Sequence, residues 1–223
     1  EAGGTLVEAH LVLGRPAETI VDLAEDLGAG LIVVGSCGLG WVRRHLLGSV
    51  SEGVVHHARC PVLVVRGGDG SWPPDRVIVG DDGSDDARRA GDIAAQIAGL
   101  FAAEMVLVRA YENPPEPVGG WSGEDRRELD EALFREERIL DGRAEELEAV
   151  AGSRPVCRLV ETEPTLAMLL AAEEGQEEST LLAVGSRGLG MAERTVLGSV
   201  STKVLRVARG PVLVCPREER TEA

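Results

Sequence analysis

Aromatic residues make up only 3% of this 223-residue chain, against 43% hydrophobic residues, so any core must be built from Val, Leu, Ile and Ala. That composition suits buried parallel strands covered by helices. Positive charge is scarce too: Lys and Arg number 23 against 38 Asp and Glu, a formal net charge of −15. This excess repels phosphate backbones and anionic lipid, which excludes nucleic acid and membrane surfaces as partners held by bulk electrostatics. A small anion held by backbone amides is not excluded. Cys37, Cys60, Cys157 and Cys215 stand singly, with no C-x-x-C pair, so a zinc knuckle and a thioredoxin-type motif are both missing. No apolar run reaches the ~18–20 residues of a membrane span. Nor does the opening Glu1-Ala-Gly-Gly4 show a basic stretch followed by an apolar one. A cytoplasmic protein with reduced thiols is expected.

What the chain does have is an internal repeat. Residues 31–66 laid over residues 181–216, a shift of 150, match at 20 of 36 positions without a gap. Leu31 to Gly40 runs against Leu181 to Gly190, Leu47-Gly-Ser-Val-Ser51 equals Leu197-Gly-Ser-Val-Ser201, and Pro61-Val-Leu-Val64 equals Pro211-Val-Leu-Val214. Between the repeats, Gly67-Gly-Asp-Gly-Ser-Trp-Pro-Pro74 supports neither helix nor central strand. The expected organisation is the C-terminal half of a first unit at 1–66, a linker at 67–74, a complete second unit at 75–217 and a tail at 218–223. By the same shift, on the order of 75 residues of the first unit have no counterpart here.

In the second repeat, apolar runs at 76–80, 105–110, 156–160, 181–184 and 212–215 read as strands. Helical spacing covers 85–101, 124–151, the stretch from Pro164, and 199–208. Pro164 suits the first position of a helix. Five strands alternating with four helices predict an α/β fold, a doubly wound five-stranded parallel sheet of order 3-2-1-4-5 with helices on both faces. Its ligand site belongs at the carboxyl ends of the strands.

The chemistry is concentrated in one spacing. Gly185-Ser-Arg-Gly188 follows a strand, and nine residues later Gly198-Ser199 opens a helix; Gly35-Ser-Cys-Gly38 and Gly48-Ser49 repeat the pattern. Glycines after a parallel strand let the backbone turn and bring N–H groups to an anion, and a helix start adds free amides and partial positive charge. The Walker pattern is absent. G-x-G-x-x-G fails in both repeats, where Arg43 and Glu193 stand at its last position.

G-x2-G-x9-G-[ST] after a buried strand, with Val79-Gly-Asp-Asp82-Gly-Ser84 on the first strand of the unit, resembles the ATP-binding subgroup of the universal stress protein family. The resemblance implies a tandem protein that binds ATP, alone or with Mg2+, as a nucleotide-dependent switch. Asp82 would lie beside ribose and adenine, and the Ala110 backbone would meet the adenine. Gly185, Gly188, Gly198, Ser199, Val200 and Ser201 would hold ribose and phosphates. Gly35, Gly38, Gly48 and Ser49 are the first-repeat counterparts. Units of this family pair through their last strands, so Val62–Val65 and Val212–Cys215 are expected to join the repeats as a pseudo-dimer, with a homodimer as the next level of assembly.

Several residues carry two readings. Asp82 is a ligand contact or the N-cap of the following helix. Arg187 and Arg194 flank the second loop and suit phosphate, although Cys37 replaces Arg187 in the first repeat. Cys37 is an accessible thiol or an ordinary one. His56 and His57, adjacent on a helix and without ligand partners at metal spacing, read as surface or interface residues. Trp41, Trp72 and Trp121 would cover a nucleotide or an interface. No Ser/His/Asp or Cys/His arrangement can be assembled, so slow cation-assisted hydrolysis is the most catalysis expected. Two competing readings are a nucleotide-free dimerisation scaffold and an ATP pyrophosphatase domain. The second wants an S-G-G-x-D-S loop that Asp81-Asp-Gly-Ser84 matches poorly.

Overall fold

The computed structural model describes residues 5, 7–36, 47–66, 72–115, 120–175, 177–188 and 197–216. Cys37, Gly38, Trp41, Arg194, the linker residues 67–71 and the tail 218–223 lie outside the described residues. The elements run α1 (Pro16–Asp26), β1 (Ile32–Gly35), α2 (Ser49–His57), β2 (Val62–Val65), β3 (Arg76–Gly80), α3 (Asp85–Phe101), β4 (Glu104–Tyr111), α4 (Gly123–Ala151), β5 (Val156–Glu161), α5 (Pro164–Glu173), a short 3-10 turn (Glu177–Ser179), β6 (Thr180–Gly185), α6 (Ser199–Val207) and β7 (Val212–Cys215).

The strands form one seven-stranded sheet of order β1-β2-β7-β6-β3-β4-β5. The α/β class expected from the alternation holds, but the sheet is larger than five strands and is not wholly parallel. Strands β3 to β7 lie in the order 3-2-1-4-5 within it, all parallel. Two strands of the first repeat extend it, because β2 runs antiparallel to β7 with Val62 opposite Val214, Leu63 opposite Leu213 and Val64 opposite Val212. Each sequence is Pro-Val-Leu-Val, and a self-similar apolar edge pairs well with its own copy in antiparallel register.

Alternation along the strands sends side chains to two cores. Ile78, Val106, Leu182 and Val212 join α1, α2, α5 and α6 on one face. Val77, Leu107, Leu181 and Leu213 join α3 and α4 on the other. Helix α3 presents Ala87, Ala90, Ala94, Ala95 and Ala98, all buried, so small side chains let it sit close to the sheet. Fully burying each Val, Leu or Ile contributes ~1.5–3 kcal/mol, and many such terms replace the missing rings. Trp72 packs edge-on against Phe101 at a centroid separation of 5.5 Å, at the carboxyl end of α3. None of the helices described is long and apolar enough to cross a membrane.

Candidate functional site

Strands β3, β4 and β6 end on the same side of the sheet, and their ends leave a cleft of ≈ 300 Å³ between the turn after β3, the loop after β6 and the start of α6. This is at the low end of the ~300–1,000 Å³ usual for small-molecule sites. It is lined by Asp82, Ala110, Gly185, Arg187, Gly188, Gly198, Ser199, Val200 and Ser201, which are the candidates read from the second repeat. Gly80, Asp81, Ala87, Val108, Pro164, Met168 and Val184 complete the wall. Trp72 and Trp121 are not among its lining residues.

The glycine loop is shaped by contacts that no side chain would allow. A Cβ on Gly185 would come within 2.7 Å of Asp86 Cβ and 2.8 Å of the Ala87 amide nitrogen, where α3 begins. At Gly188 it would meet Asp82 Oδ2 at 2.5 Å, so the loop passes directly against the carboxylate across the cleft. The Ser186 hydroxyl donates to Asp86 Oδ2 at 2.9 Å, and the Gly198 amide donates to Ser186 O at 2.7 Å, which closes the loop onto the start of α6.

Helix α6 begins at Gly198 without a side-chain cap. By contrast Ser84 caps α3, Ser122 caps α4 and Glu163 caps α5. In the first turn of α6 the Ser201 hydroxyl donates to Gly185 O at 2.6 Å, pinning the helix to the end of β6. The first-turn amides of α6 therefore face the cleft with the partial positive charge of a helix N-terminus.

Opposite them, Asp82 is exposed and accepts the Ser84 amide at 3.0 Å. It is not the helix cap. Ser84 holds that place, accepting the Ala87 amide at 3.2 Å, because α3 starts two residues later than the Asp82 alternative required. Beneath the turn lies a buried ion pair that sequence reasoning missed. Asp81 Oδ1 accepts from the Arg109 guanidinium at 2.7 Å and from the Gly83 amide at 2.7 Å, and Arg109 also donates to Asp81 O at 3.2 Å and to Glu136 at 2.7 Å. Burial works against the charged guanidinium, but the hydrogen bonds and charges of Asp81 and Glu136 outweigh it and raise Arg109 above its ordinary range. The available signal was an arginine inside an otherwise apolar strand.

Glu163 shows the same balance in reverse. Partial burial would raise its carboxyl, yet Lys203, Thr165 and the Leu166 amide hold it below the ordinary range. Since Lys203 belongs to α6, this pair ties α6 to α5 beside the cleft.

The first repeat reproduces the loop frame. Gly35 ends β1, Gly48 precedes α2 without a side-chain cap, and Ser49 opens that helix. Ser51 donates to Gly35 O at 2.6 Å and the Gly48 amide to Ser36 O at 2.7 Å. Here β1 is the edge of the sheet with β2 as its neighbour, and among the described residues no strand beside it brings an aspartate to Gly35. His57 Nδ1 lies 2.7 Å from Gly53 O, and among the described residues no group of three or more His, Cys, Asp or Glu could hold a metal ion.

The arrangement is a cleft lined by glycine backbone and the uncapped start of α6 beside an apolar wall, with a carboxylate facing it. Comparison with known proteins agrees with that class of fold. The model of the universal stress protein family matches residues 1–66 and 74–216, and the chain belongs to this family. Universal stress protein Rv2623 of Mycobacterium tuberculosis is 34% identical over 226 residues, spanning 99% of this chain and 71% of that protein. A universal stress protein of Thermus aquaticus is 37% identical over 139 residues, 62% of this chain and 96% of its own. The crystal structure of a universal stress protein from Archaeoglobus fulgidus superposes with a TM-score of 0.62 at 28% identity, covering 92% of this chain and 68% of that one.

Proposed function

We propose that this protein binds ATP, alone or with Mg2+, in the cleft of the second repeat and acts as a nucleotide-dependent switch in the stress response of the cytoplasm. The observation that carries the reading is the convergence of Asp82, the Gly185–Gly188 loop and the uncapped start of α6 on one cleft. Backbone amides at Ser199, Val200 and Ser201, together with the glycine loop and Arg187, suit phosphate oxygens. Asp82, an anion, repels phosphate and suits the hydroxyl donors of a sugar. Val108, Ala110 and Met168 supply an apolar wall for a base. Bound Mg2+ would neutralise phosphate charge in a chain that carries −15. The carboxylate of the cleft, Asp82, is assigned to the sugar in this reading, so binding rather than turnover is the proposed activity.

We further propose that the repeats act as two units, 1–66 and 75–217, joined as a pseudo-dimer. The antiparallel register of Val62–Val64 against Val212–Val214 supports this reading.

The test begins with nucleotide content: the purified protein is denatured, the supernatant is chromatographed, and ATP is titrated into stripped wild type and a Gly188→Val, Gly198→Val double variant. Co-purified or micromolar ATP, lost in the variant, is expected. If folded wild type ignores millimolar adenine nucleotide, the glycine loops are turns and the dimerisation scaffold is the better account.

A further inference from the structure

The turn that presents Asp82 is built on a buried charge. Gly83 adopts φ +81°, and its amide is held by Asp81 Oδ1, while Asp82 Oδ1 holds the next amide, that of Ser84. Two consecutive aspartate turns thus fix where the Asp82 carboxylate points. The first depends on Asp81, whose side chain is 4% exposed. A carboxylate at that depth needs a charged, hydrogen-bonded partner to stay in place. Arg109, itself 8% exposed, is that partner, donating to the carboxylate and to the carbonyl of the same residue. Lysine, with one ammonium, cannot reproduce that two-point hold.

We propose that Arg109 is a positioning residue for the nucleotide cleft: it touches no ligand, and it sets the place of Asp82 through Asp81 and Gly83. The role rests on the nucleotide reading given above and deepens it. Its consequence is selective. The sugar side of the cleft depends on Arg109 directly, whereas the anion side, made by the glycine loop and α6, meets that turn only through Ser84 Oγ to Arg187 O at 3.4 Å and the approach of Gly188 to Asp82, and keeps its own pins at Ser186, Ser201 and the Gly198 amide.

The test compares two probes, ATP and inorganic tripolyphosphate, by calorimetry on wild type, on Arg109→Lys and on an Asp81→Leu, Arg109→Met double variant. Replacing both charges with apolar groups avoids stranding one buried ion, and Glu136, 44% exposed at its side chain, stays solvated. The double variant is expected to lose ATP affinity roughly 10- to 100-fold while keeping tripolyphosphate affinity within about twofold, with Arg109→Lys in between. Adding Asp82→Ala to the double variant should cost nothing further, since both act on one group. Equal loss of both probes, unchanged ATP affinity, or additive losses with Asp82→Ala would overturn the positioning role. Wild type that binds neither probe would overturn the nucleotide reading, and this role with it.

Discussion

The two repeats frame their glycine loops with the same bonds and differ in what surrounds them. Ser51 and Ser201 donate to Gly35 O and Gly185 O at 2.6 Å each, and the Gly48 and Gly198 amides donate to Ser36 O and Ser186 O at 2.7 Å each. The counterpart arginines Arg59 and Arg209 each pair with a glutamate, Glu25 at 3.2 Å and Glu177 at 3.1 Å, although those glutamates do not occupy matching positions. Local sequence is therefore enough to set the loop frame. A cleft needs more. Around Gly185 stand β3, α3 and α5, which deliver Asp82, Ala87 and Met168, whereas β1 has β2 as its sheet neighbour and lies at the edge. Burial follows: Val33 on β1 is 58% exposed, and its counterpart Ala183 on β6 is 0% exposed.

The junction between repeats is asymmetric as well. Arg66, 3% exposed, donates to Ala208 O and Leu205 O at the carboxyl end of α6. A buried cation there satisfies end carbonyls and complements the helix dipole. The second repeat has Pro216 at the matching position, which has no cation to return. The first repeat thus braces the helix whose other end lines the second repeat's cleft.

The largest break in this comparison should come at the junction. Leu63→Ala removes a side chain that is 4% exposed and faces Leu213, and is expected to cost ~2–5 kcal/mol in urea unfolding, while Val33→Ala at the free edge stays within ~0.5. Next, Arg66→Met should cost roughly 2–4 kcal/mol and loosen α6, seen as faster amide exchange over 199–207, because two buried carbonyls lose a charged donor. Pro216→Ala keeps the carbonyl that Arg89 uses at 3.2 Å and should cost less than ~1 kcal/mol. Smaller still, Ser51→Ala and Ser201→Ala should each cost about 1 kcal/mol, since the lost hydrogen bonds match, but Ser201→Ala alone should weaken ATP binding.

The last contrast is one of pH. Burial pushes the Cys215 thiol up to about 12 from 9.0, whereas Val65 fills the matching position of β2. Above pH 9 the unfolded chain releases this proton and the folded chain does not, so stability is full below 9 and falls as pH rises toward 12. Cys215→Val should flatten that slope in unfolding curves taken across the range.

Much of this was legible in the sequence because it is local. Alternating apolar runs gave β3 to β7, Pro164 marked the first residue of α5, and the spacing of Gly185, Gly188 and Gly198 located the loop and helix start that line the cleft. What was not legible depends on residues far apart in the chain. Asp81 and Arg109 are 28 positions apart and meet only because β3 and β4 are neighbours, so a buried arginine in a strand had no visible partner. Ser84 rather than Asp82 caps α3, because four consecutive capping-type residues leave the register of the helix start open until the strand before it is placed. The edge pairing that extends the sheet to seven strands was expected from the family resemblance alone, because short Pro-Val-Leu-Val strands carry no partner information beyond their self-similarity.

If the proposed nucleotide binding holds, the complete surroundings of the second repeat, and not the glycine loop alone, make its site. Calorimetric titration of ATP into the stripped protein tests it most directly, run beside Gly188→Val and Gly38→Val. One ATP per chain, abolished by Gly188→Val and untouched by Gly38→Val, is the predicted result. Two ATP per chain, or binding lost with Gly38→Val and kept with Gly188→Val, would contradict it.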